Sequence, residues 1–306
     1  MLRVALLLLL LPAAAAAELT PQLDVRVRQE LLDEVLHFAP ESDRNWIRVR
    51  TRAGIGYAAG DHLFTVRLNN EHRHMLDPDQ ELNWDEVIID RLEWRWSIEE
   101  RRTLTVGRQD IIWPGGFLML EGHPLDGSRS IYHNAARVQW DGFDVAGILN
   151  PKYDDLILID DQGRPLTDMD ELGGYVRWAQ GSWALSVIGK FETDPDEALD
   201  DLTTITGSAR QERTFADSGK WHLDVAGQWQ DGRVRSAAND RAACGTGWAW
   251  AGEGAIVQRF SDRWAAEAGG FCTALDGSSR LDGGTFLCAG PGLQSALLAL
   301  FGGVLS

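Results

Sequence analysis

Between Trp46 and Arg73 the chain lays down two segments whose opposite faces cannot meet the same solvent. In WIRVRTRAGIGYA, Ile47, Val49, Thr51, Ala53, Ile55 and Tyr57 share one parity, and Arg48, Arg50 and Arg52 share the other. Strand side chains alternate faces with period two, so this strand has an apolar face and a cationic face. The following HLFTVRLNNEHR repeats the pattern, with Phe64, Val66 and Leu68 opposed to Thr65, Arg67, Asn69, Glu71 and Arg73. Ala59, Gly60 and Asp61 supply a tight turn, so the pair reads as a hairpin. Each arm exceeds the roughly 9–11 residues that a tilted strand needs to cross a bilayer. Three arginines on one strand face do not suit a dry core, because buried charge requires partners. They suit a water-filled lumen whose outer wall is lipid.

The alternation recurs along the chain. It is read at Leu23–Glu30, Trp84–Trp96, Arg102–Gln109, Tyr132–Trp140, Phe143–Leu149, Leu172–Trp178 and Trp183–Phe191, and then at Thr204–Glu212, Trp221–Trp229, Trp248–Val257 and Arg263–Thr273. With the first hairpin this makes about thirteen strands of membrane-barrel length. The gaps alternate too: long after Glu30, short at Gly60, long at His74–Asn83, short at Glu99–Glu100, long at Asp110–Ile131, short at Asp141–Gly142. Asn150–Glu171 is long, Gln180–Gly181 short and Thr193–Leu202 long. A soluble β-sandwich shares the strand spacing but has no reason to keep every second connection long. The expected fold is therefore all-β: an antiparallel transmembrane β-barrel with short periplasmic turns and long extracellular loops. The long gaps are acidic (Asp77, Asp79, Glu81; Asp154, Asp155, Asp160, Asp161), which reads as solvated loop surface.

Residues 1–17 read as a signal peptide: Arg3, an apolar run from Val4 to Leu11, then alanines offering cleavage near Ala17. Residues 18–290 form the expected barrel. Residues 291–306 are an apolar tail without alternation, so the barrel is expected to be incomplete at its C-terminus. The formal net charge of −17 argues against nucleic acid, which calls for a basic footprint. Thirteen tryptophans suit interfacial girdles. Cys244, Cys272 and Cys288 allow one disulfide and show no metal spacing. No cofactor is expected: GIGYAAG misses the dinucleotide fingerprint and lies inside a hairpin. No nucleophile elbow or HExxH occurs, and parity assembles no catalytic triad, so the chain is not read as an enzyme.

The blocks IRVRTRAGIGY, FTVRLNNEHR, LTVGRQD (Leu104–Asp110), EGHPLDGSR (Glu121–Arg129) and NAARVQW (Asn134–Trp140), with a GTF echo at Gly284–Phe286, carry a resemblance. They resemble the alginate-export family of outer-membrane β-barrels. That resemblance implies passive passage of an anionic polysaccharide, alginate-like, through an arginine-lined pore. Its partners would be that polymer or small anionic solutes, outer-membrane lipid and the insertion machinery.

The chemistry agrees with an anion path. Guanidinium binds carboxylate through a planar fork and stays charged at any relevant pH. By parity the lining residues are Arg26, Arg28, Arg48, Arg50, Arg52, Arg67, Arg91, Arg95, Arg137 and Arg177. Arg129 is placed at the mouth. Arg108 has the outward parity of Leu104 and Val106 unless a bulge at Gly107 turns it inward. Asp24, Glu30, Glu71, Glu93 and Asp224 share the lumen parity. They either keep anion binding weak enough for release or brace the wall, as Glu93 would between Arg91 and Arg95. Two other functions fit the same residues: a general anion-selective porin for small carboxylates, and a secreted soluble β-protein that binds polysaccharide.

Overall fold

The structure is a computed structural model that describes residues 17–32, 44–77, 86–114, 117–119, 132–160, 170–196, 201–215, 218–232, 235–236, 241–242, 247–259, 265–275 and 294–296. The strands in chain order are β1 (Glu18–Leu32), β2 (Arg44–Ala59), β3 (His62–Asp77), β4 (Glu86–Glu99), β5 (Arg102–Gln109), β6 (His133–Trp140), β7 (Phe143–Asn150), β8 (Ile157–Asp160) and β9 (Asp170–Gln180). They continue with β10 (Trp183–Thr193), β11 (Leu202–Phe215), β12 (Gly219–Gly232), β13 (Arg235–Ser236), β14 (Arg241–Ala242), β15 (Gly247–Arg259), β16 (Ala265–Leu275) and β17 (Gln294–Ala296). The expected signal peptide and Arg129, Cys244 and Cys288 lie outside the described residues.

The chain divides into two compact units, Met1–Ala136 with Asp154–Arg164, and Arg137–Tyr153 with Pro165–Ser306. In the first unit β1 to β5 pair in sequence order, each antiparallel to the next. In the second, β7, β9, β10, β11, β12, β15 and β16 do the same. This is the fold class the sequence predicts: all-β and antiparallel, of the transmembrane β-barrel type, with short and long connections alternating. Four short elements among the described residues were not expected: β8, β13, β14 and β17. β8 lies inside the connection read as a plain loop after Asn150, and it pairs antiparallel with the start of β4 at Glu86–Ile88. With only four residues it offers no periodicity to read.

The short turns carry their own chemistry. Asp141 and Gly142, between β6 and β7, both have positive φ (41° and 87°). Two central residues with positive φ are the signature of the type I′ hairpin turn, whose twist matches the strands, and Asp-Gly is a preferred pair there.

Burial runs opposite to that of a water-soluble sheet. Leu172, Val176, Leu185, Val187, Ile205, Leu223, Val225, Trp250 and Ile256 are exposed, whereas Ser186, Thr204, Asp224 and Gln230 on the alternate positions are buried. The apolar set is continuous across the registers: Val176 faces Val187, Ile205 faces the half-buried Trp229, and the half-buried Trp221 faces Ile256. Soluble monomers rarely show apolar patches beyond a few hundred Å². The first unit repeats the inversion, with Ile55, Val66, Leu68, Leu92 and Val106 exposed and Arg52, Thr65, Arg67, Asn69 and Thr105 buried.

Aromatic rings bracket this apolar band. On β12, Trp221 stands near the short-turn end and Trp229 near the long-loop end, with Leu223, Val225 and Gly227 between. Eight residues of strand span about 27 Å, or about 20 Å along an axis tilted by ~40°, close to the apolar height of a barrel wall. Trp248 and Trp250 stack beside Trp229 at the long-loop end, their ring centroids 6.4 Å apart. In the first unit Tyr57, Phe64, Trp94 and Trp96 cluster near the short turns, with Phe64–Trp94 at 6.5 Å and Trp94–Trp96 at 6.3 Å.

Candidate functional site

The polar face of the first unit is organised by one irregularity in β4. Arg67 pairs with Arg91 and the next residue, Leu68, pairs with Ile89, so Asp90 is the extra residue of a β-bulge. A bulge resets alternation. Asp90 and Arg91, neighbours in sequence, consequently both join the polar network. Asp90 is fully buried. Arg67 grips it with two prongs, Nε to Oδ1 at 2.8 Å and Nη2 to Oδ2 at 2.9 Å. Arg52 approaches from β2 at 3.2 Å. Arg67 also reaches Asp110 at 3.0 and 3.1 Å, and Arg91 donates to the same carboxylate. Two carboxylates therefore hold three guanidinium groups from three strands. Glu93 sits between Arg91 (3.9 Å) and Arg95 (3.4 Å), the bracing arrangement weighed above.

Arg108 is turned by the glycine before it. Gly107 has φ +116°, and a Cβ there would stand 2.2 Å from the carbonyl oxygen of Leu92. Only glycine fits that approach. Thr105 and Arg108 are both buried although three positions apart, so simple alternation fails at Gly107; the pairing with β4 runs through Gly107 and Arg108 without a register shift, and the positive φ of Gly107 accompanies the turn of Arg108. Arg108 donates to the Ile89 carbonyl (2.8 Å), to Asn134 Oδ1 (3.0 Å) and to Asp154 Oδ2 (2.5 Å). Its guanidinium lies 4.1 Å from the Tyr132 ring centre, and the Tyr132 hydroxyl donates to the same Asp154 oxygen at 3.0 Å.

The hairpin of β1 and β2 concentrates positive charge. The register sets Arg26 opposite Arg50, Arg28 opposite Arg48, and Asp24 opposite Arg52. Arg50 donates to Asp24 at 2.9 Å, and Arg48 lies 5.3 Å from the Trp46 ring centre. Arg48 is buried, while Arg26, Arg28 and Arg50 are partly exposed.

In the second unit Arg137 holds Asp144 through two hydrogen bonds, at 2.8 and 2.6 Å, and the buried Tyr175 hydroxyl donates to the same carboxylate at 2.9 Å. Arg177 faces Asp144 in the register. Arg210 bonds both Asp224 and Glu212. Lys190 lies between Glu171 (3.4 Å) and Glu192.

A second cluster joins two long connections. Lys152 Nζ meets Asp194 at 2.7 Å and Asp196 at 3.0 Å, and the Tyr153 hydroxyl donates to Asp196. The Lys152 amide donates to Asp170 at 2.7 Å and the Asp196 amide to Asp194 at 3.1 Å. The two aspartates raise the Lys152 ammonium above its ordinary range. Tyr153 and Lys152 hold Asp196 below the usual carboxylate range. The bond to Asp196 keeps the Tyr153 phenol protonated to higher pH than usual.

Several of these groups carry signals that the sequence reading passed over. Arg210 and Lys190 have inward parity on β11 and β10. Asp144 alternates with Phe143 and Val145. Asp90 had no such signal, because the bulge inverts its parity. Asp110, Asp154 and Lys152 fall in connections where no period applies.

No protein-family model matches the chain, and no curated protein matches it. Three solved structures are similar over much of its length. A loop-deletion form of OmpT, an outer membrane protein of Vibrio cholerae, aligns at TM-score 0.47 and 13% identity, covering 86% of this chain and 83% of that one. OprD of Pseudomonas aeruginosa aligns at TM-score 0.42 and 13% identity, covering 85% of this chain and 59% of that one. An anion-selective porin from Comamonas acidovorans aligns at TM-score 0.34 and 13% identity, covering 95% of each.

The Asp90 network predicts a large cost for losing one charge. Asp90→Asn leaves Arg52 and Arg67 buried with half their counter-charge, and breaking a buried pair costs about 3–5 kcal/mol. Urea unfolding in lipid vesicles, followed by tryptophan fluorescence, should show that loss; a change below ~1 kcal/mol would contradict it.

The loop cluster predicts a pH window. A depressed aspartate stabilises above its unfolded pKa and loses this as pH falls through the folded value; a raised lysine stabilises below its unfolded pKa and loses this as pH rises through the folded value. Protection of the Lys152 and Asp196 amides from hydrogen exchange should therefore persist from mild acid to strong alkali. It should fail when pH drops below the ordinary aspartate range, and again at extreme alkali above the ordinary lysine range. Lys152→Met should lower both protections at neutral pH, and an unchanged pattern would break the link.

Proposed function

We propose that this protein is an outer-membrane channel whose polar face conducts anions, and that its cargo is an anionic polysaccharide of the polyuronate class. The observation that carries the reading is the pair of opposed arginine rows, Arg26 with Arg50 and Arg28 with Arg48. Arginines directly opposite one another on neighbouring strands concentrate positive charge on the polar face, where an anion in the lumen would add to the partners they already have, such as Asp24 at Arg50. Partly exposed guanidinium groups in a narrow aqueous space bounded by low-dielectric walls create a strong local field. Rings of Arg or Lys are the usual means of anion selection in pores. The apolar face with its tryptophan belts supports placement in a bilayer, and the resemblance of the sequence blocks to the alginate-export family favours a polymer over a small solute.

The other arginines have a different part in this reading. Arg52, Arg67 and Arg108 are each under a tenth exposed and committed to carboxylates. They brace the wall and shape the field, while the partly exposed Arg26, Arg28 and Arg50, the last also paired with Asp24, meet the cargo.

In planar bilayers under a salt gradient, Arg26→Gln with Arg28→Gln should shift the reversal potential toward cations and weaken block by oligo-uronates. The shift should shrink in high salt, where exposed charges are screened. Block that strengthens with uronate chain length supports the polymer, and block independent of length supports a general anion porin. Full anion preference in the correctly folded double variant would overturn the anion-path assignment.

A further inference from the structure

We propose that His222 and Asp224 on β12, with Glu253 on β15, form a binding site for a divalent metal ion of the zinc class. His222 and Asp224 are two positions apart on one strand and so share a face. The register places Glu253 directly opposite Asp224. One ligand atom from each residue lies within 4.8 Å of the other two. His222 Nε2 is 3.5 Å from Glu253 Oε1 and 4.0 Å from Asp224 Oδ2. Zinc–ligand bonds of about 2.0–2.2 Å put neighbouring ligand atoms roughly 3.3–3.5 Å apart in a tetrahedral set. Small side-chain rotations close the remaining gap.

The surroundings favour a cation. Arg210 bonds both Asp224 and Glu212, and Lys220 also meets Glu212, at 3.4 Å. Two carboxylates, Asp224 and Glu212, thus share Arg210 and Lys220, and the described partner of Glu253 is the His222 imidazole. β16, the next strand, has Phe271 opposite Glu253 and contains no Lys, Arg or His. Asp224 is buried, and Arg210 fixes its orientation, as outer-shell donors do for ligating carboxylates. Ala255 stands opposite His222 and leaves room beside the imidazole. One imidazole nitrogen with two carboxylate oxygens suits zinc and its neighbours in the first transition row better than Mg²⁺ or Ca²⁺, which prefer all-oxygen sets. Sequence spacing does not display the site, because its third ligand comes across the sheet.

The test uses the untagged full chain, folded in detergent and stripped with chelator. One equivalent of Co²⁺ should give a visible d–d absorption band that one equivalent of Zn²⁺ removes and excess Mg²⁺ does not. His222→Gln and Glu253→Gln should each abolish the band and weaken Zn²⁺ binding at least about tenfold, with heat-modifiable gel migration reporting that they fold. A wild-type protein with no band at stoichiometric Co²⁺ overturns the site whatever the variants do, and leaves His222 as an ion-pair partner of the two carboxylates. Unchanged binding in folded variants also overturns it, by assigning the metal to the acidic connections.

Discussion

Carboxylate–guanidinium pairing on one face of the sheet is the interaction on which the rest of this structure depends. Asp90 with Arg52 and Arg67, Asp154 with Arg108, and Asp144 with Arg137 are charges removed from water. Such groups are tolerated only when their partners are well placed and their remaining hydrogen-bonding sites are filled. The bidentate grips on Asp90 and Asp144, and the four contacts around Arg108, meet that condition. The Asp90 and Asp154 pairs link residues more than twenty positions apart and the Asp144 pair spans one hairpin, so within each unit the pairs tie neighbouring strands into a stiff wall.

That wall has consequences for the opposite face. Because period-two alternation commits every second residue to the charged network, the intervening residues must all face the other way. They are leucine, valine, isoleucine and tryptophan, left exposed in continuous rows. Water is a poor solvent for such rows, and a bilayer is a good one. The tryptophans at both ends of β12 set the height of the band, at the positions where an amphipathic ring rests between hydrocarbon and water.

Much of this was legible in the sequence. Alternation located nearly all the long strands, and Asp141–Gly142 marked its hairpin. The arginines of β2 fell on the face that the structure makes polar. Reading failed where the backbone leaves the regular pleat. Asp90 was passed over because it shares the parity of Leu92 and a bulge cannot be seen in a parity count. Arg108 was ambiguous because alternation breaks at Gly107, and that glycine was the clue. Asp110, Asp154 and Lys152 belong to connections, where position follows from long-range partners and not from local period. The sequence also suggested arginines bathed in water, whereas the structure pairs and buries several of them. Asp24, Asp90, Asp110, Asp144 and Asp154 supply the counter-charge, which explains how an acidic chain can carry so many arginines on one face.

The central claim is that one face of the sheet meets lipid and the other meets water and ions. Single cysteines introduced in turn from 221 to 230 along β12, in a background lacking the native cysteines, address it directly. In lipid vesicles, a charged water-soluble thiol reagent should label positions 222, 224, 226, 228 and 230 once the sheet is assembled, with 224, 226 and 230 slow because they are buried. Positions 223, 225 and 227 should resist the reagent and report contact with quencher-bearing acyl chains. Labelling without a period of two, or equal labelling of both sets, would contradict the account.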